Sequence, residues 1–242
     1  MGVPGVDVIT WGPERARAGP WRGDRQVAYL APLADAPVPS AAFVHRCLEQ
    51  LAARGYERVV TAALSPAESH GFLAAGFEVR EQLHLLAHDL RRIPEAGDPV
   101  PIRRAARADA EAVLAVDHAA FPPFWRLDAG GLADALRATP AVRWRVAERT
   151  DRADRSGVIG YAITGRAGRR GYLQRLAVHP DDGGHGVGTM LVVDGQRWLK
   201  RWRVDQVVVN TQFENARALG LYERLGFRRQ PLGLSVLSAG IP

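Results

Sequence analysis

The C-terminal part of the chain alternates between two periodicities of apolar positions. Apolar residues spaced three or four apart predict amphipathic helices, whereas alternating or short continuous apolar runs predict strands. The helical spacing occurs over residues 108–120, 128–138, 189–201 and 216–225. Strand patterns occur over residues 102–104, 142–148, 158–165, 172–178 and 206–211 and from Phe227 onward, with a polar turn between 148 and 158. Strands that alternate with helices around an antiparallel meander predict an α/β fold with a mixed, mostly antiparallel sheet.

The N-terminal part carries a shorter version of the same ending. Its patterns predict helices over residues 43–53 and 66–75 and strands over residues 58–63 and 78–86. Prolines and a glycine in residues 93–100 interrupt any helix or central strand, which is typical of a linker. The chain is therefore predicted to consist of a partial domain over residues 1–92, the linker, and a complete domain over residues 101–242.

A short sequence match relates the two parts. A shift of 150 residues places Gly76 on Gly226, Phe77 on Phe227 and Phe72 on Tyr222. The order of the surrounding elements agrees as well, which indicates an internal repeat.

A glycine-rich run, Gly-Gly-His-Gly-Val-Gly at residues 183–188, connects a predicted strand to the helix that begins at Thr189. Glycines let the backbone turn tightly and approach a ligand, and the free N–H groups of a first helical turn attract anions. A diphosphate cradle is one interpretation, and a plain tight turn is the other. The 150-residue shift places residues 33–38, Leu-Ala-Asp-Ala-Pro-Val, on this run, so that every glycine is lost. Asp35 adds a carboxylate and Pro37 removes a backbone donor, which predicts that the N-terminal copy binds no phosphate.

A second motif follows the glycine-rich run. On the predicted helix over residues 216–225, Asn215, Ala218 and Tyr222 share one face, so a single ligand could meet all three. Tyr222 could equally be a core residue of an amphipathic helix. Gly226 is better explained as the end of that helix, with Phe227 as its hydrophobic contact.

In this order and spacing, the two motifs resemble those of the GNAT superfamily of acetyltransferases, over roughly residues 101–233. The resemblance implies acetyl-CoA as cosubstrate, no metal, and a strand whose backbone pairs with the pantetheine arm. It implies a diphosphate held by the glycine-rich run, a pantetheine contact from Asn215, and Tyr222 as the acid facing the leaving sulfur. The cofactor-binding residues so implied are Leu176, Ala177, Val178, Gly183, Gly184, His185, Gly186, Val187, Gly188, Thr189, Asn215 and Ala218.

The sequence departs from the family pattern at two positions. Gly183 stands where the family usually has Gln or Arg, which removes one side chain but leaves the backbone donors. Asn210 stands where the ribosomal-protein N-terminal acetyltransferases have a glutamate base, and an amide does not accept a proton at neutral pH. This second departure weakens a protein N-terminus as the substrate.

The acceptor side is less defined by the sequence. Glu148, Asp128, His118 and Glu214 are the candidates for the base that deprotonates the amine, and the sequence does not choose between them. Between the first two helices of the complete domain, Phe121, Phe124 and Trp125 are candidates for the wall of a substrate pocket. A packed helix–helix corner explains these aromatic residues equally well.

Composition changes this picture little. The net charge of +6 and the pI of about 10.2 come from arginines spread along the chain, with Lys200 as the single lysine. Because the basic residues form no block, nucleic acid is not the expected partner, although the positive field favours an anionic cofactor. One cysteine, Cys47, excludes an internal disulfide framework and is expected to be buried. No apolar run is long enough for a membrane span, so a cytoplasmic protein with no membrane partner is expected.

The sequence therefore predicts an enzyme, a GNAT N-acetyltransferase that transfers an acetyl or other acyl group from acetyl-CoA to a primary amine. The amine, on a small molecule or a peptide, attacks directly in a ternary complex. The alternative is a protein that binds acyl-CoA without catalysis, as a sensor or subunit. A homodimer is among the assemblies left open.

Overall fold

The computed structural model describes residues 7–97, 100–149 and 157–241. The helices are α1 Ala41–Ala52, α2 Pro66–Ala74, α3 Ala110–Ala120, α4 Ala129–Arg137, α5 Val187–Arg201 and α6 Ala216–Arg224. The strands are β1 Asp7–Trp11, β2 Glu14–Pro20, β3 Val27–Pro32, β4 Arg58–Thr61, β5 Glu78–His88, β6 Ile102–Arg104, β7 Ala141–Arg149, β8 Gly157–Ala167, β9 Arg170–Val178, β10 Gln206–Gln212, β11 Arg228–Arg229 and β12 Leu234–Gly240. Short 3-10 helices lie at Trp21–Gly23, Arg107–Asp109, Pro123–Trp125 and Pro180–Asp182. Most of the polar turn expected between 148 and 158 falls on residues 150–156, outside the described residues.

The chain forms two compact units that are interleaved in sequence. The first consists of the described residues of Met1–Leu85, Asn210–Glu214 and Gln230–Pro242, and the second of those of Leu86–Val209 and Asn215–Arg229. Residues 230–242, assigned to the complete domain by sequence, thus belong to the first unit. This division by packing does not test the domain boundaries that the sequence predicts at residues 92 and 101, and they stay a prediction.

In the first unit the strand order is β1-β2-β3-β4-β12-β5. The β3–β4 pair is parallel and the other neighbours are antiparallel. Helices α1 and α2 bury their apolar sides in one core with the sheet, where Phe43, Leu51 and Phe72 are almost fully buried.

Strands β1, β2 and β3 were not predicted from the sequence. In β2 the buried, alternating positions are Ala16 and Ala18. Alanine has little preference for strands, and alternating alanines among arginines give a weak hydrophobic signal. Their role as strand residues follows from pairing with neighbours that are distant in sequence.

In the second unit the strand order is β10-β9-β8-β7-β6, with β6 to β9 antiparallel and β9 parallel to β10. One core contains residues of α3 and α4, and another contains residues of α5 and α6, so each sheet face carries its own pair of helices. The predicted α/β fold with a mixed, mostly antiparallel sheet is confirmed.

Most predicted elements have boundaries within a few residues of the observed ones, and two of the differences have a clear structural consequence. Helix α5 begins at Val187 rather than at Thr189. The last strand is interrupted, because Pro231, which has no N–H to donate, follows β11 before β12 begins.

Helices α2 and α6 begin with the same kind of capping hydrogen bond and end with the same local geometry. Ser65 and Asn215 each cap a helix by accepting a hydrogen bond from the backbone N–H three residues later. Gly76 and Gly226 end these helices with φ angles of +89° and +85°, a left-handed conformation that favours glycine. The proposed 150-residue alignment therefore joins positions of equal backbone conformation at this helix.

Candidate functional site

The glycine-rich run forms the turn between β9 and α5 in the second unit. Gly184 and Gly186 have φ angles of +86° and +83°, a region that other residues rarely adopt. Gly186 is the N-cap of α5 and carries no side chain that could cap the helix. These two glycines let the loop present its backbone rather than side chains to a ligand.

The backbone N–H groups of residues 184–189 make no hydrogen bond to any described residue. The first bond of the helix runs from Met190 N–H to the Gly186 carbonyl, at 3.0 Å. Gly184, His185 and Gly186 are exposed, so a ligand can approach these donors. Unpaired N–H groups at the positive end of a 15-residue helix form a site suited to an anion.

Strand β9 has an open edge next to this loop. Its parallel pairing with β10 covers Arg170 to Tyr172, and within the described residues no β9–β10 pair follows Tyr172. The remaining part of β9, with Leu176, Ala177 and Val178, stays paired with β8 on its other edge. An extended ligand could therefore hydrogen-bond to this edge as an added strand does.

The second motif lies on α6 as predicted. The side-chain oxygen of Asn215 accepts a 3.0 Å hydrogen bond from Ala218 N–H, which leaves the Asn215 amide nitrogen available to a ligand. Tyr222 is 5% exposed, and its hydroxyl bonds to no described residue. Burial raises the pKa of Tyr222, and the nearby positive charge of Arg175 opposes that rise in part.

Tyr222 also contributes to the core. Its ring lies 5.7 Å from that of Phe227, whose N–H donates to the Tyr222 carbonyl. Gly226 between them has the helix-ending geometry predicted from the sequence. Tyr222 therefore occupies the core position that the sequence offered as one alternative, and its contact with a ligand stays a prediction.

The aromatic residues that are candidates for the acceptor wall lie between α3 and α4. Phe124 and Trp125 pack edge to face in the 3-10 helix Pro123–Trp125, with ring centroids 4.9 Å apart. Phe121 lies under the guanidinium of Arg175, which is 3.6 Å from the ring centroid. All three side chains are partly exposed, as both interpretations of this segment require.

A buried charged network, which the sequence did not reveal, holds this segment in place. Asp117 is 0% exposed and accepts hydrogen bonds from Tyr161 Oη at 2.6 Å and from Arg175 Nε at 2.8 Å. The same carboxylate accepts from Leu127 N–H, and Arg175 donates to the carbonyl of Trp125. The network ties strands β8 and β9 to the backbone of the aromatic segment.

Three of the four candidate bases have other partners in the structure. Glu148 forms an ion pair with Arg103, and Asp128 accepts the capping hydrogen bond of α4. The Nε2 atom of His118 lies 2.6 Å from a backbone carbonyl. Glu214 is exposed and lies in the first unit.

Two further properties concern the described residues as a whole. Among them there is no group of three or more His, Cys, Asp or Glu side chains placed to hold a metal ion. Nor does the described part of the chain contain a helix with the length and apolar character of a membrane span.

In the first unit, the loop before α1 is the counterpart of the glycine-rich loop before α5. The two loops differ in their sequence offset and in the groups at the helix N-terminus. Helix α1 begins at Ala41 and α5 at Val187, an offset of 146 rather than 150, so the shift that placed residues 33–38 on the loop does not hold there. At the N-terminus of α1, side chains take the place that an anion would occupy, with the cap Ser40 and the carboxylate of Glu14 from β2. Ser40 accepts from a backbone N–H of the helix, and its own N–H and hydroxyl donate to Glu14.

Comparisons with known proteins give the family of the chain. Residues 111–227 match the model of the acetyltransferase (GNAT) family. Mycothiol acetyltransferase of Amycolatopsis mediterranei is 30% identical over 200 residues, which cover 76% of this chain and 65% of that protein. N-alpha-acetyltransferase 30 of Saccharomyces cerevisiae is 40% identical over 60 residues, 25% of this chain and 34% of that protein. The matches thus span a third to two thirds of these curated relatives.

The fold as a whole resembles that of a solved tandem GNAT protein from the clavulanic acid biosynthesis pathway. The TM-score is 0.68 at 14% identity, over 97% of this chain and 82% of the other. The GNAT fold expected from the two motifs is confirmed. The chain belongs, through residues 111–227, to the GNAT family of acetyltransferases.

Proposed function

We propose that this acetyltransferase takes its acetyl or acyl group from acetyl-CoA and transfers it to a primary amine by direct attack in a ternary complex. The observation that carries the proposal is the set of backbone N–H groups of residues 184–189, which have no acceptor in the part of the chain that the structure describes. These donors fit a diphosphate, which is a doubly charged, acceptor-only group. The open edge of β9 beside them fits the amide groups of a pantetheine arm.

The chemistry requires few protein groups. The amine nitrogen forms a bond to the thioester carbonyl carbon, the carbon–sulfur bond breaks, and the sulfur takes up a proton from an acid. The nitrogen releases one proton as the amide forms, and this proton passes through water and restores the acid. A backbone N–H of the open β9 edge stabilises the negative charge that develops on the carbonyl oxygen. The buried Tyr222 hydroxyl supplies the proton, because its raised pKa keeps it protonated at neutral pH.

The acceptor follows less directly from the geometry. The names of the relatives indicate two acceptor classes, mycothiol and α-amines. Phe121, Phe124 and Trp125 would form an aromatic wall for the acceptor. A panel of peptide α-amines, unacetylated mycothiol and apolar amines, assayed by CoA release, identifies the class.

A non-catalytic acyl-CoA-binding protein is the second candidate. Two candidate bases already have partners in the protein, since Glu148 is paired with Arg103 and Asp128 caps α4. A protein without a free base to deprotonate the amine would bind acyl-CoA but not transfer its acyl group. The two functions differ in CoA release. Binding of acetyl-CoA without release over the full amine panel would favour the second.

The cofactor site is tested by Gly186→Glu, which places a strained residue and a negative charge where the phosphates would bind. We expect CoA binding, measured by calorimetry, to be abolished. Gly168→Glu is a matched control, because Gly168 also has a positive φ, of +55°, but lies in the turn before β9, at the other end of that strand. Equal CoA affinity in the folded Gly186→Glu variant and in the control would contradict the proposed site.

A further inference from the structure

The guanidinium of Arg217 occupies the space next to Gly183 at the start of the glycine-rich loop. A Cβ atom built on Gly183 would lie 1.9 Å from one guanidinium nitrogen of Arg217 and 2.8 Å from its central carbon. Both residues lie in the second unit, and Arg217 is in the first turn of α6. The side chain therefore reaches from α6 to the loop that precedes α5.

The backbone does not require glycine at position 183. Its φ and ψ angles are −73° and 148°, an extended conformation that any residue adopts. This distinguishes Gly183 from Gly184 and Gly186, whose positive φ angles do favour glycine. What a side chain at 183 would displace is the guanidinium of Arg217.

The positive charge of Arg217 is not neutralised by the acidic residues of the loop. Arg217 is exposed and forms no ion pair or hydrogen bond with a described residue. Asp182 is paired with Arg149 at 2.6 Å, and Asp181 lies 3.8 Å from His179. An uncompensated guanidinium thus stands at the edge of the unpaired N–H groups of residues 184–189.

We propose that Arg217 is the cation that pairs with the diphosphate of the bound CoA, from a position that a side chain at 183 would otherwise occupy. This inference rests on the proposed function. The backbone N–H groups supply directional donors without net charge, and Arg217 supplies the charge with a planar fork of donors. The phosphate that Arg217 contacts could also be the 3′-phosphate of CoA. Ligands that lack the 3′-phosphate or the diphosphate distinguish these two partners.

The test measures by calorimetry the affinity of the full chain for CoA, 3′-dephospho-CoA and S-acetylpantetheine. Arg217→Ala should weaken both CoA and dephospho-CoA about 10- to 100-fold, the usual effect of losing a hydrogen bond to a charged group. The affinity for S-acetylpantetheine, which has no diphosphate, should not change. Arg224→Ala, which removes an exposed arginine from the last turn of the same helix, is the control and should change none of the three.

A second variant tests whether an arginine at position 183 can replace Arg217. In the Arg217→Ala background, Gly183→Arg should restore CoA affinity, since the extended backbone at 183 accepts a side chain and the space is then free. Wild-type affinity for CoA in Arg217→Ala would overturn the inference and leave the proposed function intact. If only CoA, and not dephospho-CoA, lost affinity, the diphosphate assignment would be wrong and the 3′-phosphate would be the partner. A wild-type chain that binds no CoA would overturn the proposed function and this inference with it.

Discussion

The carboxylate of Asp117 and the guanidinium of Arg175 form an ion pair at 2.7 Å, although Asp117 is fully buried and Arg175 nearly so. Asp117 is on α3 and Arg175 on β9, so the pair connects helix α3 to the strand with the open edge. Burying two charges is costly unless both are paired and hydrogen-bonded, and here they are.

Asp117→Ala should therefore destabilise the protein by about 3–5 kcal/mol, because it leaves the charge of Arg175 buried without a partner. The free energy of unfolding, from urea denaturation, measures the effect. Asp134→Ala is the control, since it removes an exposed ion pair with Arg137 and should cost at most about 1 kcal/mol. A loss as small as that of the control would show that water reaches the pair.

Tyr222→Phe should keep CoA binding and lower turnover roughly 10- to 1000-fold, because it removes the proposed proton donor to the leaving sulfur. Calorimetry and a CoA-release assay measure the two quantities. Tyr56→Phe, which changes a buried tyrosine of the first unit, should leave both unchanged. Full activity of the Tyr222 variant would mean that the sulfur leaves without an acid.

The pH profile provides a separate test of the same residue. Burial raises the pKa of Tyr222 above its ordinary value of about 10, so the acid form persists to higher pH. Turnover of the wild-type enzyme should therefore not decline between about pH 8 and pH 10. A decline in this interval, absent from Tyr222→Phe, would indicate that the hydroxyl ionises there.

Cys47 should be inert in the native protein. The thiol is fully buried, and burial, together with the charge of Glu14, raises its pKa to about 12. Because the thiolate is the reactive species, labelling by a disulfide reagent at pH 8 should be very slow in buffer and fast in denaturant. Rapid labelling of the native chain would show that the first unit opens locally.

One CoA molecule should bind per chain. The N-terminus of α1 is capped by Ser40 and carries the carboxylate of Glu14, which repels an anion, whereas the N–H groups at the start of α5 have no acceptor among the described residues. Calorimetric titration with CoA gives the stoichiometry. Two sites, or a single site that persists in Gly186→Glu, would contradict this assignment.

Deleting residues 1–92 should produce an unstable or poorly soluble chain. Within the first unit, β12 pairs with β4 and β5, and the deletion removes both partners and exposes two strand edges. Thermal unfolding and solubility measure the effect. A stable, active fragment would show that the second unit is independent of the first.

The sequence by itself determined the elements whose signals are local. Helix α6 and the end of α2 were predicted because helical spacing, a capping residue and a following glycine lie within a few positions of one another. The glycine-rich loop was found for the same reason, since Gly184 and Gly186 mark a backbone conformation that few other residues adopt. These local features were also sufficient for the family.

The tertiary structure decided what depends on pairs distant in sequence. Strands β1 to β3 have weak patterns, and their place follows from hydrogen bonds to partners elsewhere in the sheet. The ion pair of Asp117 with Arg175 and the contact of Arg217 with Gly183 join residues that no local pattern relates. Hydrogen bonds and steric contacts act only over a few ångströms. The roles of these residues therefore depend on folding, which brings each of them next to a partner that is distant in sequence.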